Sequence, residues 1–177
     1  ETLLRRKYIE RQGKALVATD AGIRLIDAVH PQVKSAALTG EWEAELERIG
    51  HTLKPLEIVL LNTAAGRKYG DADYVDSGCG MGREATLYLT ERGVRVTGTD
   101  GWSWDAPFCF TAKRYAKDHD ASIIWEGHKA GRDIGYCHLE KLHNLECLPP
   151  DGFMVSCFPV KVKGGSAGWT RAVAIFE

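Results

Sequence analysis

One order of segments constrains this chain more than anything else in it. An apolar run at Ile58–Asn62 is followed by an amphipathic stretch at Glu84–Arg92 and a β-branched run at Val94–Gly98. Short apolar runs bury in a sheet, and a segment with helical spacing buries one face on top of it, so strand, helix and strand in succession predict an α/β fold. Ile58–Asn62 is expected to be a buried strand. Further strands are expected near Tyr136–Leu142, Met154–Pro159 and Ala172–Phe176, with a short helix at Lys113–Asp118. Gly164 to Gly168 reads as the turn between the last two strands, because small residues tolerate tight backbone geometry.

The first fifty residues follow a different rhythm. A short helix carries Leu3 and Leu4, and two strands flank a turn at Gln12–Gly13–Lys14. Thr19 or Asp20 then caps a helix whose apolar face is Ile23, Leu25, Ile26 and Val29, and Pro31 stops it. The stretches ETLLRRKYIER, LVATDAGIRLIDAV and LTGEWEAELERI resemble the winged-helix-like segment of type IA topoisomerases of the topoisomerase III kind. That resemblance implies a DNA-binding module, with Arg5, Arg6, Lys7, Arg11 and Lys14 available to phosphates. The same cations also fit a solvated face, offset by the acidic run Glu41 to Glu47. Neither the catalytic-tyrosine motif nor the acidic metal-binding domain of a topoisomerase occurs in the sequence, and Tyr8 reads as a packing residue.

Charge and composition narrow the function. A formal charge of −1 and a pI near 6.7 argue against a basic nucleic-acid footprint for the whole chain. No apolar run approaches the roughly 20 residues needed to cross a bilayer, and the opening residues are not a signal peptide. The five cysteines form no C-x-x-C pair and read as reduced, buried thiols of a cytoplasmic protein. The chain opens at Glu1 without methionine, as a fragment would.

Tyr74 to Asp100 imitates another fold. An acidic residue before Gly78-x-Gly80-x-Gly82, a helix, and a strand ending in Asp100 match the first motif of class I methyltransferases that use S-adenosylmethionine. Against this alternative, residues 68–73 are polar where a buried strand is needed, and the 77 residues after Asp100 open with a tryptophan-rich loop. The competing reading makes the three glycines a turn before the helix.

The denser resemblance lies in IVLLNTAAGRKYG, GCGMGREATLYLTERGVRVTGTDGWSWDAPF, IWEGHKAGRDIGYCHLEKLHNLECLPP and CFPVKVKGGSAGWTRAVAI. Together these look like the C-terminal half of the cyclase family that includes kynurenine formamidase and isatin hydrolase. The resemblance implies a swivelling β/β/α fold, zinc or manganese, hydrolysis of amide-type C–N bonds in a small-molecule substrate, and assembly as homo-oligomers. The family's N-terminal motif, His-x-Gly-Thr-His-x-Asp-x-Pro, does not occur here. Its second ligand pair, a histidine and a glutamate twelve positions apart, carries over onto His128 and Glu140.

Two protein ligands are fewer than the three typical of a catalytic metal, so weak or absent metal binding and little or no activity are expected. His138 alternates with Glu140 on a predicted strand and so faces the same side. Like His30, His51, His119 and His143, it reads as a surface or hydrogen-bonded residue. The family places the loop carrying Asp100, Trp102, Trp104 and Asp105 beside the metal, which makes these four the candidate substrate-binding residues, although a tryptophan-rich loop is also core material.

The expected organisation is therefore a winged-helix-like unit at residues 1–45 and a partial cyclase-type domain at residues 46–177.

Overall fold

The computed structural model describes residues 2–13, 15–28 and 50–176. The chain divides into two compact units, Glu1–Thr52 and Leu53–Glu177.

In the first unit α1 (Thr2–Arg5) leads into an antiparallel hairpin of β1 (Ile9–Gln12) and β2 (Ala15–Ala18). Ile9 lies opposite Ala18 and Gln12 opposite Ala15, with Gly13 taking the turn at φ +63°. The helix α2 (Asp20–Ala28) is capped by Thr19, whose hydroxyl accepts the N–H of Gly22 at 3.1 Å. The same hydroxyl donates to the carbonyl of Lys7 at 2.7 Å, so one side chain joins the start of the helix to the start of the hairpin. The Thr-x-x-Gly spacing has a steric reason as well: a Cβ on Gly22 would stand 2.0 Å from the Tyr8 carbonyl oxygen. Lys14, Val29, His30, Pro31 and residues 41–47 lie outside the described residues, as do the side chains of Leu25 and Ile26.

The second unit is built on a parallel sheet in the order β3 (Ile58–Leu61), β4 (Val96–Thr99), β5 (Cys137–Leu139). The helices are α3 (Arg83–Glu91), α4 (Phe108–Asp118) and α5 (Glu126–Ala130), and α3 packs against α5. Both α3 and β4 fall where Leu87, Leu89 and the run Val94–Thr97 predict a helix and a strand. The expected burial of Ile58–Asn62 needs correction, because β3 lies at an edge of the described sheet and is only half-buried along its length. Burial is instead concentrated on β4, where Thr97, Gly98 and Thr99 are all buried. The helix expected at Lys113–Asp118 begins earlier, at Phe108. Pro107 fixes the entry, and the aromatic and β-branched first turn that hides the helix in the sequence is tolerated there.

The core gathers Leu89, Val94, Trp104 and Ala130 with Thr86, Thr90 and Thr97. Threonine in a helix core needs a partner, and Thr86 donates to the Gly82 carbonyl at 2.9 Å while accepting from Trp104 Nε1 at 3.0 Å. The chain closes in an antiparallel ribbon of β6 (Met154–Cys157) and β7 (Ala172–Ile175). Beyond β6 the Gly165 N–H donates to the Val162 carbonyl at 3.1 Å, which turns the chain back. This ribbon leaves Phe158 87% and Trp169 83% exposed. The five cysteines are free, as expected, but not buried: Cys79, Cys137 and Cys147 are exposed and Cys109 and Cys157 are half-exposed.

The glycine loop before α3 is filled by the chain itself. A Cβ on Gly80 would stand 1.9 Å from the Ala106 nitrogen and 2.0 Å from the Asp105 carbonyl carbon, and the Met81 N–H donates to the Trp104 carbonyl at 2.7 Å. The close approach that the methyltransferase reading assigned to an adenosyl ligand is made here by residues 104–106.

Because the opposing atoms are backbone, no rotamer change relieves a clash at this point. Gly80→Ala is expected to lose about 3 kcal/mol of unfolding free energy in urea, at the upper end of overpacking costs. Gly135→Ala, where a Cβ meets nothing within 4 Å, should stay within about 0.5 kcal/mol of wild type. Equal stability for the two variants would refute the account of the loop.

Candidate functional site

Parallel strands deliver their C-terminal ends to one edge of the sheet, and the loops leaving β3, β4 and β5 supply the polar side chains gathered there. His138 on β5 is in register with Thr97, and Glu140, one residue past the strand, lies on the same side by alternation. The loop after β4 covers this face. Trp104, fully buried, stacks on the His138 ring with centroids 5.8 Å apart and planes at 23°. Its backbone N–H donates to Glu140 Oε1 at 2.9 Å.

His128 arrives from α5. Trp125, in the left-handed region at φ 58° and ψ 48°, precedes that helix and sets its direction, and its ring lies 5.6 Å from that of His128. Tyr136 donates to the Gly127 carbonyl at 2.8 Å, and burial pushes its phenol well above the ordinary range. His128 Nε2 stands 3.9 Å from Glu140 Oε1, His138 Nε2 stands 3.3 Å from the same oxygen, and the imidazole centroids are 4.5 Å apart at 81°. Ligand atoms of His128, His138 and Glu140 all lie within 4.8 Å of one another, which makes these three a group able to hold a metal ion.

Glu140 is ionised in this setting. Burial alone would push its carboxyl up, but the hydrogen bond with His138, the Trp104 N–H and the charge of Lys141 outweigh burial and bring it down to about 2. Lys141 contributes from a left-handed backbone at φ 60°, with Nζ 3.3 Å from Glu140 Oε2 and donating to the Trp102 carbonyl at 2.7 Å.

The four loop residues that the sequence marks as candidates take different places. Asp100 is 2% exposed and faces the β3 loop, accepting from the Thr63 N–H at 2.8 Å, the Thr63 hydroxyl at 2.6 Å and the Gly66 N–H at 3.0 Å. Its carbonyl accepts from the Tyr74 hydroxyl at 2.7 Å, and burial followed by the Asp100 charge pushes that phenol up to about 12. Trp102 is 41% exposed beneath Lys141, whose Nζ lies 4.6 Å from its ring centroid. Trp104 is buried against His138. Asp105 is buried too: it accepts the N–H groups of Gly127 at 2.6 Å and His128 at 3.2 Å, and pairs closely with His128 Nδ1.

Two features escape sequence reasoning. His138 belongs to the cluster, and its His-x-Glu alternation on a strand was the available signal. The pairing of Asp105 with His128, 23 residues apart, has no local signal at all. Of the other histidines, His119 ends α4 in the left-handed region at φ 49°, and His143 lies 6.4 Å from the Tyr69 ring.

A family model described as "Putative cyclase" matches residues 14–106. Isatin hydrolase A from Ralstonia solanacearum is similar with a TM-score of 0.60 and 25% identity, covering 86% of this chain and 64% of that one. Isatin hydrolase A from Labrenzia aggregata, bound to benzyl benzoate, gives 0.57 and 26%, covering 77% and 53%. An isatin hydrolase bound to the product analogue thioisatinate gives 0.57 at 23% identity, a likeness of fold, covering 79% and 51%. The chain therefore spans less than two thirds of each isatin hydrolase. DNA topoisomerase 3 from Bacillus anthracis is 49% identical over 41 residues, which are 23% of this chain and 6% of the topoisomerase. Among the described residues no helix is long and apolar enough to cross a membrane.

The Glu140 environment predicts an acid limb of stability. A folded-state carboxyl near 2, against 4.5 for the free group, contributes stability that is present above the unfolded value and is lost as pH falls through that window. In metal-free protein, the unfolding free energy of wild type minus that of Glu140→Gln should therefore shrink between pH 4.5 and about 2. A difference that stays flat with pH would show that Glu140 is not held in this way.

Proposed function

The chain belongs to the putative cyclase family, and we propose that it is a metal-dependent hydrolase of amide-type C–N bonds whose ion is held by His128, His138 and Glu140. The observation that carries this reading is the convergence of two imidazoles and one ionised carboxylate within 4.8 Å.

The donor set fits the group it would hold. Donors at 2.0–2.2 Å from a tetrahedral ion stand about 3.4 Å from one another, close to the separations of 3.3 and 3.9 Å at Glu140 Oε1. Two histidines and a glutamate suit zinc or manganese, and three protein donors leave a position open to water or substrate. When bound, such an ion lowers the pKa of a coordinated water and polarises the carbonyl under attack.

The chain's own residues supply the remainder. Glu140 is already ionised and needs no deprotonation to act as a ligand. Trp104 holds the Glu140 carboxylate through its N–H and the His138 ring through stacking, so two of the three donors are oriented by one buried residue. Trp102 and Trp125, both exposed at the rim, offer flat apolar faces to a small cyclic amide or an aryl formamide. The relatives named isatin hydrolases make isatin the first compound to try. With three donors rather than the two expected from sequence, slow metal-dependent turnover is favoured within the little-or-no activity that the sequence leads one to expect.

Calorimetric titration with zinc and with manganese, paired with an assay of isatin and an aryl formamide, tests this reading. Glu140→Ala and His138→Ala should each weaken binding at least about tenfold and abolish any metal-stimulated hydrolysis. Wild-type protein that takes up neither ion, or turnover indifferent to both substitutions, would sink the proposal.

The identity with DNA topoisomerase 3 favours a second reading, in which the N-terminal unit is a winged-helix-like DNA-binding module. Arg5, Arg6, Lys7, Arg11 and Arg24 are exposed cations among its described residues. The affinity for a labelled oligonucleotide, read from its anisotropy, should then fall as salt rises, with a slope of log K against log salt of about −0.7 to −0.9 per phosphate contacted. A lack of binding at low salt would remove this reading.

A further inference from the structure

Asp105 is not one of the three donors, yet its side chain is held by Gly127 and by both the backbone and the ring of His128. The loop that carries it is wedged between two glycines. A Cβ on Gly80 would stand 2.0 Å from the Asp105 carbonyl carbon, and one on Gly127 would stand 2.3 Å from the Met81 carbonyl and 2.8 Å from Trp104 Cδ1. Gly127 is also the residue whose N–H reaches Asp105 Oδ1 at 2.6 Å, so the contact that admits the loop also aims the carboxylate. Oδ2 takes the His128 N–H at 3.2 Å and faces His128 Nδ1. Backbone and ring of the same histidine are thus bound by one oxygen.

A carboxylate can only accept, so the short contact with Nδ1 requires the imidazole proton to be on Nδ1. Nε2 then keeps its lone pair. On that side of the ring Glu140 Oε1, at 3.9 Å, is beyond hydrogen-bond distance, and the lone pair points into the space shared with His138. We infer that Asp105 is a positioning residue that fixes His128 as the Nδ1–H tautomer and aims Nε2 at Glu140 and His138. What that lone pair binds rests on the metal-dependent reading above; the tautomer does not.

The two are separable by experiment. Long-range proton–nitrogen correlation spectra of the metal-free, nitrogen-15-labelled protein, recorded where imidazole is neutral, should give His128 a protonated Nδ1 and a bare Nε2. Asp105→Asn keeps the shape but has one acceptor oxygen. With that oxygen in the Oδ1 place, taking the Gly127 N–H, its amide N–H₂ occupies the Oδ2 place, leaves the His128 N–H without its acceptor and meets Nδ1, which must accept, and the proton moves to Nε2. The variant should keep a cooperative melt, give the reversed tautomer signature and bind zinc about 10–100-fold more weakly. A wild-type spectrum with Nε2 protonated overturns the inference even if the variant fails to fold. So does a variant with unchanged tautomer and unchanged zinc affinity, which would leave the metal reading standing. A tautomer that reverses in a protein whose wild type binds no zinc supports the positioning role and rejects the metal reading.

Discussion

Two buried carboxylates pin the loop that follows β4, and the geometry of the second unit depends on them. Asp100 at its start is bound by Thr63 and Gly66 of the β3 loop, and Asp105 near its end by Gly127 and His128 of α5. A buried carboxylate without donors costs several kcal/mol, whereas each hydrogen bond to a charged group returns about 1.5–3 kcal/mol. Neither anchor tolerates loss of its donors, so the loop has one way to lie. Trp104 between them is then delivered against His138 and Thr86, and its N–H against Glu140. Stability and site geometry therefore draw on the same loop.

That dependence accounts for one of the hydroxyls in the core, that of Thr86. A unit whose fully buried side chains include Thr86, Thr90 and Thr97 beside Leu89, Val94 and Trp104 gains less from burial than an aliphatic one would. Hydroxyls in the core are affordable where they join separate segments, as Thr86 does in bridging the Gly82 carbonyl and the Trp104 indole. Left-handed residues recur around the site for a related reason: Ala64, Trp125 and Lys141 all have positive φ without being glycine. Each such conformation costs on the order of 1 kcal/mol and persists because surrounding contacts over-determine it.

The sequence made the local elements legible and left most of the long-range pairings hidden. Apolar spacing located α3 and β4, and alternation placed His138 beside Glu140. The beginning of α4 was hidden because Phe108, Cys109, Phe110 and Thr111 are indifferent helix formers, and tertiary context decides such a turn. Asp100 and Asp105 looked alike, two acids on one loop, yet they serve different segments. Nothing within a few residues of either identifies Thr63 or His128 as its partner. The glycines of the 78–82 loop were legible as a turn, but whether a ligand or the chain fills the space they leave is decided by residues 104–106.

On the proposed metal-dependent reading, the proton inventory of the site would link a metal-free and a metal-loaded form. In the metal-free arrangement His138 donates Nε2–H toward Glu140, which helps keep that carboxylate ionised. For His138 to offer Nε2 as a ligand, it would have to carry that proton on Nδ1 instead. His128 faces no such choice, since Asp105 already claims the proton at Nδ1. An ion held by the three donors would therefore displace the His138 contact with Glu140 and leave the Trp104 N–H and the Asp105 pairing in place. The cost of loading is small because the donors are already collected. It falls on His138, the one member of the cluster whose ring has no recorded carboxylate or carbonyl partner on its far nitrogen among the described residues. Uptake would move that ring's proton from Nε2 to Nδ1, a change of tautomer with no net proton released from the neutral imidazole.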